Sequence, residues 1–237
     1  MKSQKMMALL GVAMLTAFYF GCTKDASQSA ASTTTTPKLN PASKTIPTAS
    51  FGALAQNAFN LWGTCNGAPY YISGSNGICV PVGNCSSDID AAQQATGQTA
   101  SGLQFYGCFK GGTSASSSAS EEAVFLCDND TQWNGDEMGF VKTLNDNSLK
   151  AYVQGGGQYL TQVISNGDNG YHTFKCQASS TNVHQVDFYV DGNYVLSLVN
   201  NSGHYYNNYD YFVGTNHWYG GSSNTGQQIE MYNMTTY

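Results

Sequence analysis

The residues that could do chemistry are carboxylates, histidines and a few clusters of side-chain oxygens around aromatic rings. Cleaving a glycosidic bond needs two carboxyl groups flanking it, one donating a proton and the other acting as nucleophile or base. Glu121-Glu122 and Asp136-Glu137 are adjacent pairs, so on a strand their members face opposite ways. Asp128-x-Asp130 alternates correctly but has no glutamate in register. No single strand therefore offers the pair, and no catalytic residue is assigned. Of the four histidines (His172, His184, His204 and His217), His172 alternates with Phe174 and Cys176 and reads as a core or rim residue rather than a base.

Three loops are better suited to binding. Sugars present apolar C–H faces and hydroxyl rims, so their sites combine an open aromatic ring with Asn, Asp or Gln. Asp128 to Asp136 (DNDTQWNGD) carries Trp133 and Asn134. Asn201 to Asn208 (NSGHYYNN) carries His204, Tyr205 and Tyr206, and Asn216 to Gly226 carries Asn216, His217, Trp218 and Tyr219. No cofactor is expected. The metal that the sequence admits is calcium, a hard cation taking oxygen ligands, at Asp128, Asp130 and Asp136, in a run that lacks the closing glutamate of an EF-hand.

Strands must hold these loops. Val186, Phe188 and Val190 alternate with Gln185, Asp187 and Tyr189, and Asp191-Gly192 supplies the positive-φ residues of a tight hairpin before Tyr194–Val199 returns. Further strands are predicted at 103–110, 123–128, 136–144, 148–154, 158–164, 170–178, 209–215 and 227–234, a spacing that indicates an antiparallel sandwich. Successive connections alternate between its ends, so the loops at 128–135, 155–157, 179–184 and 201–208 should share one end. Those at 145–147, 165–169, 191–193 and 216–226 should share the other. Ala53–Trp62 reads as a short helix or an opening strand, and Asp88–Thr99 carries a weak helical signal. Residues 51–102 are read as a small disulfide-stapled elaboration contributing an edge strand.

Seven cysteines leave six if Cys22 is lipidated. An even count in an exported chain favours disulfides. Cys127 and Cys176 fall in apolar strand phases and are expected to pair across the core, with Cys65–Cys79 and Cys85–Cys108 as local staples.

All nine cationic side chains are lysines; residues 51–237 hold four of them against fourteen carboxylates, a balance of −10. Phosphate backbones are bound mainly by cationic contacts, so nucleic acid is excluded as a partner. Lys2 and Lys5 precede an apolar run from Met6 to Gly21, too short for a typical membrane span and read as a signal peptide over 1–21. Gly21-Cys22 resembles a bacterial lipobox, although Tyr19-Phe20 departs from its usual aliphatic and small residues. That resemblance implies acylation of Cys22, a membrane anchor, and secretion or display as an outer-membrane or cell-surface lipoprotein. Residues 22–50, rich in Ser, Thr, Ala and Pro, read as a flexible tether.

Tyr171–Phe174 (YHTF), Val186–Gly192 (VDFYVDG) and the closing Gln227–Thr235 (QQIEMYNMT) together resemble the concanavalin A-like jelly rolls, in particular laminin G-like domains. The resemblance spans roughly 105–237 and implies an all-β jelly roll over 51–237. It extends to the fold of the glycoside hydrolases of family sixteen, whose Glu-x-Asp-x-x-Glu strand is missing here, and it raises the expectation of calcium at a rim. The function expected is non-catalytic binding of carbohydrate or a glycan surface. The alternatives are a divergent jelly-roll hydrolase or lyase whose acid and base come from separate strands, and a structural surface protein that self-associates.

Overall fold

The structure, a computed structural model, describes residues 53–63, 69–81, 88–111, 121–128, 136–143, 146–218 and 227–237, with Asp88, Ile89, Gln98, His217 and Trp218 described by backbone alone. The signal, the tether, Cys22, Cys65, Cys85, Asp130, Trp133, Asn134 and Tyr219 lie outside the described residues.

Among the described residues fourteen strands form two antiparallel seven-stranded sheets. The first sheet runs β1 (Asn60–Gly63), β4 (Asp88–Ala100), β13 (Tyr209–Trp218), β6 (Glu121–Cys127), β7 (Glu137–Thr143), β8 (Ser148–Gly155) and β9 (Gln158–Asn166). The second runs β12 (Asn193–Val199), β11 (Gln185–Val190), β10 (His172–Ala178), β5 (Gly102–Lys110), β14 (Gln228–Thr236), β3 (Gly77–Pro81) and β2 (Tyr70–Ile72). The all-β sandwich expected from the strand spacing is the observed architecture. The β11–β12 hairpin turns through Asp191 (φ 51°) and Gly192 (φ 78°), both left-handed as its two-residue turn requires.

Phenylalanines from both sheets interlock between the layers. Phe105 stacks on Phe174 at 5.1 Å within the second sheet, and Phe140 of the first meets Phe174 at 5.2 Å and Phe188 at 5.4 Å. All four are almost wholly buried, and each contributes about 1.5–3 kcal/mol by leaving water.

Three expectations are corrected. Asp88–Ala100 is a long strand, not a helix. Its backbone is paired on both edges, by β1 and β13, and Ala91 and Ala92 are small enough to be buried on opposite faces, so tertiary pairing overrides a weak local preference. Residues 51–102 are accordingly no mere edge elaboration: they supply β1 and β4 to one sheet and β2 and β3 to the other.

The disulfides are the third correction. Cys176 lies in the core, whereas Cys127 lies on the outer face of the first sheet with Phe125, Tyr152 and Val213, so the layer itself separates them. The reason is that β6 is apolar in both phases: Val124 and Leu126 face inward, and Ala123, Phe125 and Cys127 face outward. Cys79, Cys108 and Cys176 are free buried thiols among the described residues, and Cys65 and Cys85, the partners expected for two of them, lie outside those residues. The three buried thiols pack as small hydrophobes. Burial pushes the Cys108 thiol up to about 12, far from the thiolate that disulfide exchange needs.

Candidate functional site: a rim pocket at one end of the sandwich

The described parts of four connections meet at one end, as the alternation of loops requires. Asn200 organises them. Its side-chain amide donates to the Gly155 carbonyl (2.9 Å) and to the Tyr206 hydroxyl (2.7 Å), and its Oδ1 accepts the Ser202 N–H (2.8 Å). His184 donates from Nδ1 to the His204 carbonyl at 2.7 Å. Gly155 has no side chain because the His204 ring occupies that space: a Cβ there would sit 2.5 Å from it.

Within this frame His204 Nδ1 lies 3.3 Å from Asp136 Oδ2, and the Asp136 N–H donates to Asp128 Oδ1 at 3.3 Å. These residues, with Tyr205, Asn207, Asn208 and Tyr209, line a pocket of about 220 Å³. Tyr205 is 58% exposed, its ring held edge-on against His184 at 4.8 Å. The pocket thus combines two carboxylates, an imidazole and two amides beside an open aromatic ring. That set can hydrogen-bond several hydroxyls while a flat C–H surface packs on the ring.

The structure brings Asp128, Asp136, His204 and Tyr205 together and separates other sequence candidates from them. Tyr206 is fully buried, its hydroxyl turned to Asn200 and its ring against His204 at 4.7 Å, so it supports the rim rather than facing a ligand. Asn216 is no loop residue: β13 continues through Trp218, and Asn216 is buried on that strand opposite Asp90 and Glu122. His217 and Trp218 continue β13 away from the rim pocket, Trp218 pairing with Asp88. Among the described residues no group of three His, Cys, Asp or Glu side chains could hold a metal ion. Asp130, the third of the expected calcium ligands, lies outside the described residues.

Sequence reasoning missed a second group of residues beside the pocket. On the outer face of the first sheet Glu137 accepts the Tyr152 hydroxyl (3.1 Å), and Tyr152 packs against Phe125 at 6.2 Å and Tyr159 at 5.9 Å. Burial pushes the Glu137 carboxyl up to about 8; the Tyr152 hydrogen bond opposes this, and the charges of Glu121, Asp128 and Asp136 add to it. Glu137 Oε1 has no hydrogen-bond partner among the described residues. The signal was present in the sequence: Ala123–Cys127 of β6 is apolar in both phases, as strands buried on both faces are.

No protein-family model and no curated protein sequence matches this chain. Solved structures do. The chain is similar to a prokaryotic β-1,3-1,4-glucanase (lichenase) derived from a mouse hindgut metagenome, at 10% identity over 71% of this chain and 82% of that one, with a TM-score of 0.50. It is similar to the potassium-bound carbohydrate recognition domain of Emp46p, at 10% identity over 76% and 88% with a TM-score of 0.50. It is also similar to a native glycosidic hydrolase, at 12% identity over 79% and 93% with a TM-score of 0.51. At these identities what is shared is the fold, the concanavalin A-like jelly roll.

Proposed function

We propose that this protein binds carbohydrate through the rim pocket, as an exported domain held to a membrane by an acylated Cys22 and set clear of it by the 22–50 tether. The observation that carries the reading is the pocket itself: the exposed Tyr205 ring stands beside Asp128, Asp136, His204, Asn207 and Asn208. Neutral sugars with several hydroxyls suit it, because every lining polar group can pair with a hydroxyl and the ring packs on the C–H face. The jelly-roll structures it resembles include a carbohydrate recognition domain and two glycan-cleaving enzymes, which agrees with this reading.

The test is a glycan array followed by titration calorimetry on the full-length protein, with and without calcium. Tyr205→Ala should weaken binding at least about fivefold, the loss expected on removing a central aromatic anchor. Equal affinity for the two proteins would sink the rim pocket as the site. Dependence on calcium would assign Asp128 and Asp136 a cation.

One observation favours a second reading, glycan cleavage. Glu137 is a carboxylic acid that keeps its proton near neutrality, the property required of a general acid. Release of reducing ends from a polysaccharide panel, abolished in Glu137→Gln, would establish it. The absence of any release would leave Glu137 with a structural role alone.

A further inference from the structure

The outer face of the second sheet carries an ordered strip that the rim pocket does not use. The registers align Tyr194 of β12 with Tyr189 of β11, Tyr189 with Lys175 of β10, and Lys175 with Gln104 of β5. Phe174, Cys176, Phe188 and Val190 take the alternate positions and fill the core, so this row faces away from it. Tyr194 meets Tyr189 edge-on at 5.8 Å. The Lys175 ammonium lies 5.4 Å from the Tyr189 ring centre and 4.9 Å from that of Tyr237. The Tyr237 hydroxyl in turn donates to Gln104 Oε1 at 2.8 Å, and the Tyr194 hydroxyl lies 2.9 Å from Ser197 Oγ. Neighbouring strands are about 4.8 Å apart, so the row extends about 14 Å across four strands. Tyr194 is 59% and Tyr237 43% exposed.

The charge of Lys175 sets this strip apart. Lys110 is paired with Glu230 and Lys150 with Asp146, while Lys142 is buried among carbonyl and amide oxygens. Lys175 has no carboxylate partner among the described residues, so a domain with a large excess of carboxylates presents one unneutralised cation on an open face. Asp187 lies one row along, but its Oδ1 already accepts from Ser197 and Gln185.

We propose that this strip is a second binding surface, separate from the rim pocket, for a polysaccharide chain bearing anionic groups. Successive sugar rings would lay their C–H faces on Tyr194, Tyr189 and Tyr237, and an anionic substituent would meet the Lys175 ammonium that the rings hold in place. A carboxylate on a uronic acid and a sulfate ester supply the same chemistry. Nucleic acid, with a phosphate at every residue, does not fit a face with a single cation, whereas a largely neutral glycan needs only one anionic substituent placed at Lys175.

The experiment is affinity electrophoresis and calorimetry of the full-length protein with dextran bearing sparse carboxymethyl groups, dextran bearing sparse sulfate esters and uncharged dextran, at low and high salt. Lys175→Gln is a surface change, and an unaltered thermal midpoint would confirm its fold. It should weaken binding of the charged polymers about tenfold at low salt, while Lys175→Arg retains it and Tyr205→Ala leaves it unchanged. Preference for the carboxymethyl or for the sulfate-ester polymer identifies the anionic group. The proposal is overturned if neither charged polymer binds or if Lys175→Gln binds both as the parent does. It is equally overturned if the substitution alters only self-association in sedimentation.

Discussion

Raising the pH from about 5 to about 8 should lower the thermal midpoint by roughly 10 °C or more, and Glu137→Gln should remove a large part of that fall. Two buried carboxyls set the direction. Burial pushes the Glu137 carboxyl from 4.5 in the unfolded chain up to about 8, and it raises that of Glu122 in the same sense against the opposing charge of Lys142. Between those values the folded protein holds protons that the unfolded chain has released. Stability therefore declines as pH rises, by about 1.4 kcal/mol per pH unit for each such group. His172 acts in the same direction. Its burial alone would lower it, but its contacts with Asp168 (3.3 Å) and Asp191 (2.7 Å) outweigh burial and raise it. Its contribution is full below its unfolded value and is lost as pH rises through the folded one.

Glu230 and Asp168 act in the opposite sense. Glu230 is held down to about 2, because bonds from Lys110, Tyr171 and Tyr232 outweigh its burial. Asp168 is also lowered, His172 and the Gly170 N–H outweighing its burial. What these two contribute is present above their unfolded values and lost as pH falls through the folded ones. Stability should thus peak in mild acid, near pH 5. Thermal melts across pH, parent beside Glu137→Gln, check this; a midpoint still climbing from about pH 5 to about pH 8 would contradict it.

Lys142→Ala should cost about 3–5 kcal/mol, the usual penalty for removing one member of a buried charged network. Lys142 sits on β7 of the first sheet with no exposed surface, opposite Glu122 on β6. Its ammonium crosses the sandwich to donate to the Phe109 carbonyl (2.9 Å) of the second sheet. It also donates to the Asp168 carbonyl (2.8 Å) and to Asn169 Oδ1 in the connection leading to β10. Removing it takes a charged donor from three acceptors, of which the Phe109 carbonyl and Asn169 Oδ1 keep only a share of the Gly111 N–H, and leaves Glu122 without the cation that favours its ionised form. Urea titration at unchanged slope measures the loss. A shift below about 1 kcal/mol would show that water replaces the ammonium at no cost.

Much of the sandwich was legible because alternation is a direct statement about faces. β10, β11 and β12 follow their polar and apolar phases closely, and the positive φ of Asp191 and Gly192 is what their residue types announce. Alternation fails where both phases are apolar. In β6 it cannot say which side is inside, and that ambiguity produced the Cys127–Cys176 pairing across the sheet. It also hid the outward cluster that includes Glu137 and Tyr152. β4 was illegible for another reason: an Ala- and Gln-rich segment has no strong period, and its state is decided by the two strands that pair with it. At the rim, sequence parity grouped the loops, yet side-chain direction within a loop follows no period. Tyr205 and Tyr206 are neighbours of one type, and one is open while the other is sealed inside.

The position of β14 constrains how the chain can be made. It lies between β5 and β3, the three strands joined in register through Cys108, Glu230 and Cys79. Residues 77–81 and 103–110 therefore have no hydrogen-bonded neighbour on that side until residues 228–236 have left the ribosome. During synthesis those early strands wait with open edges through more than a hundred codons, the period in which a nascent chain most needs a chaperone.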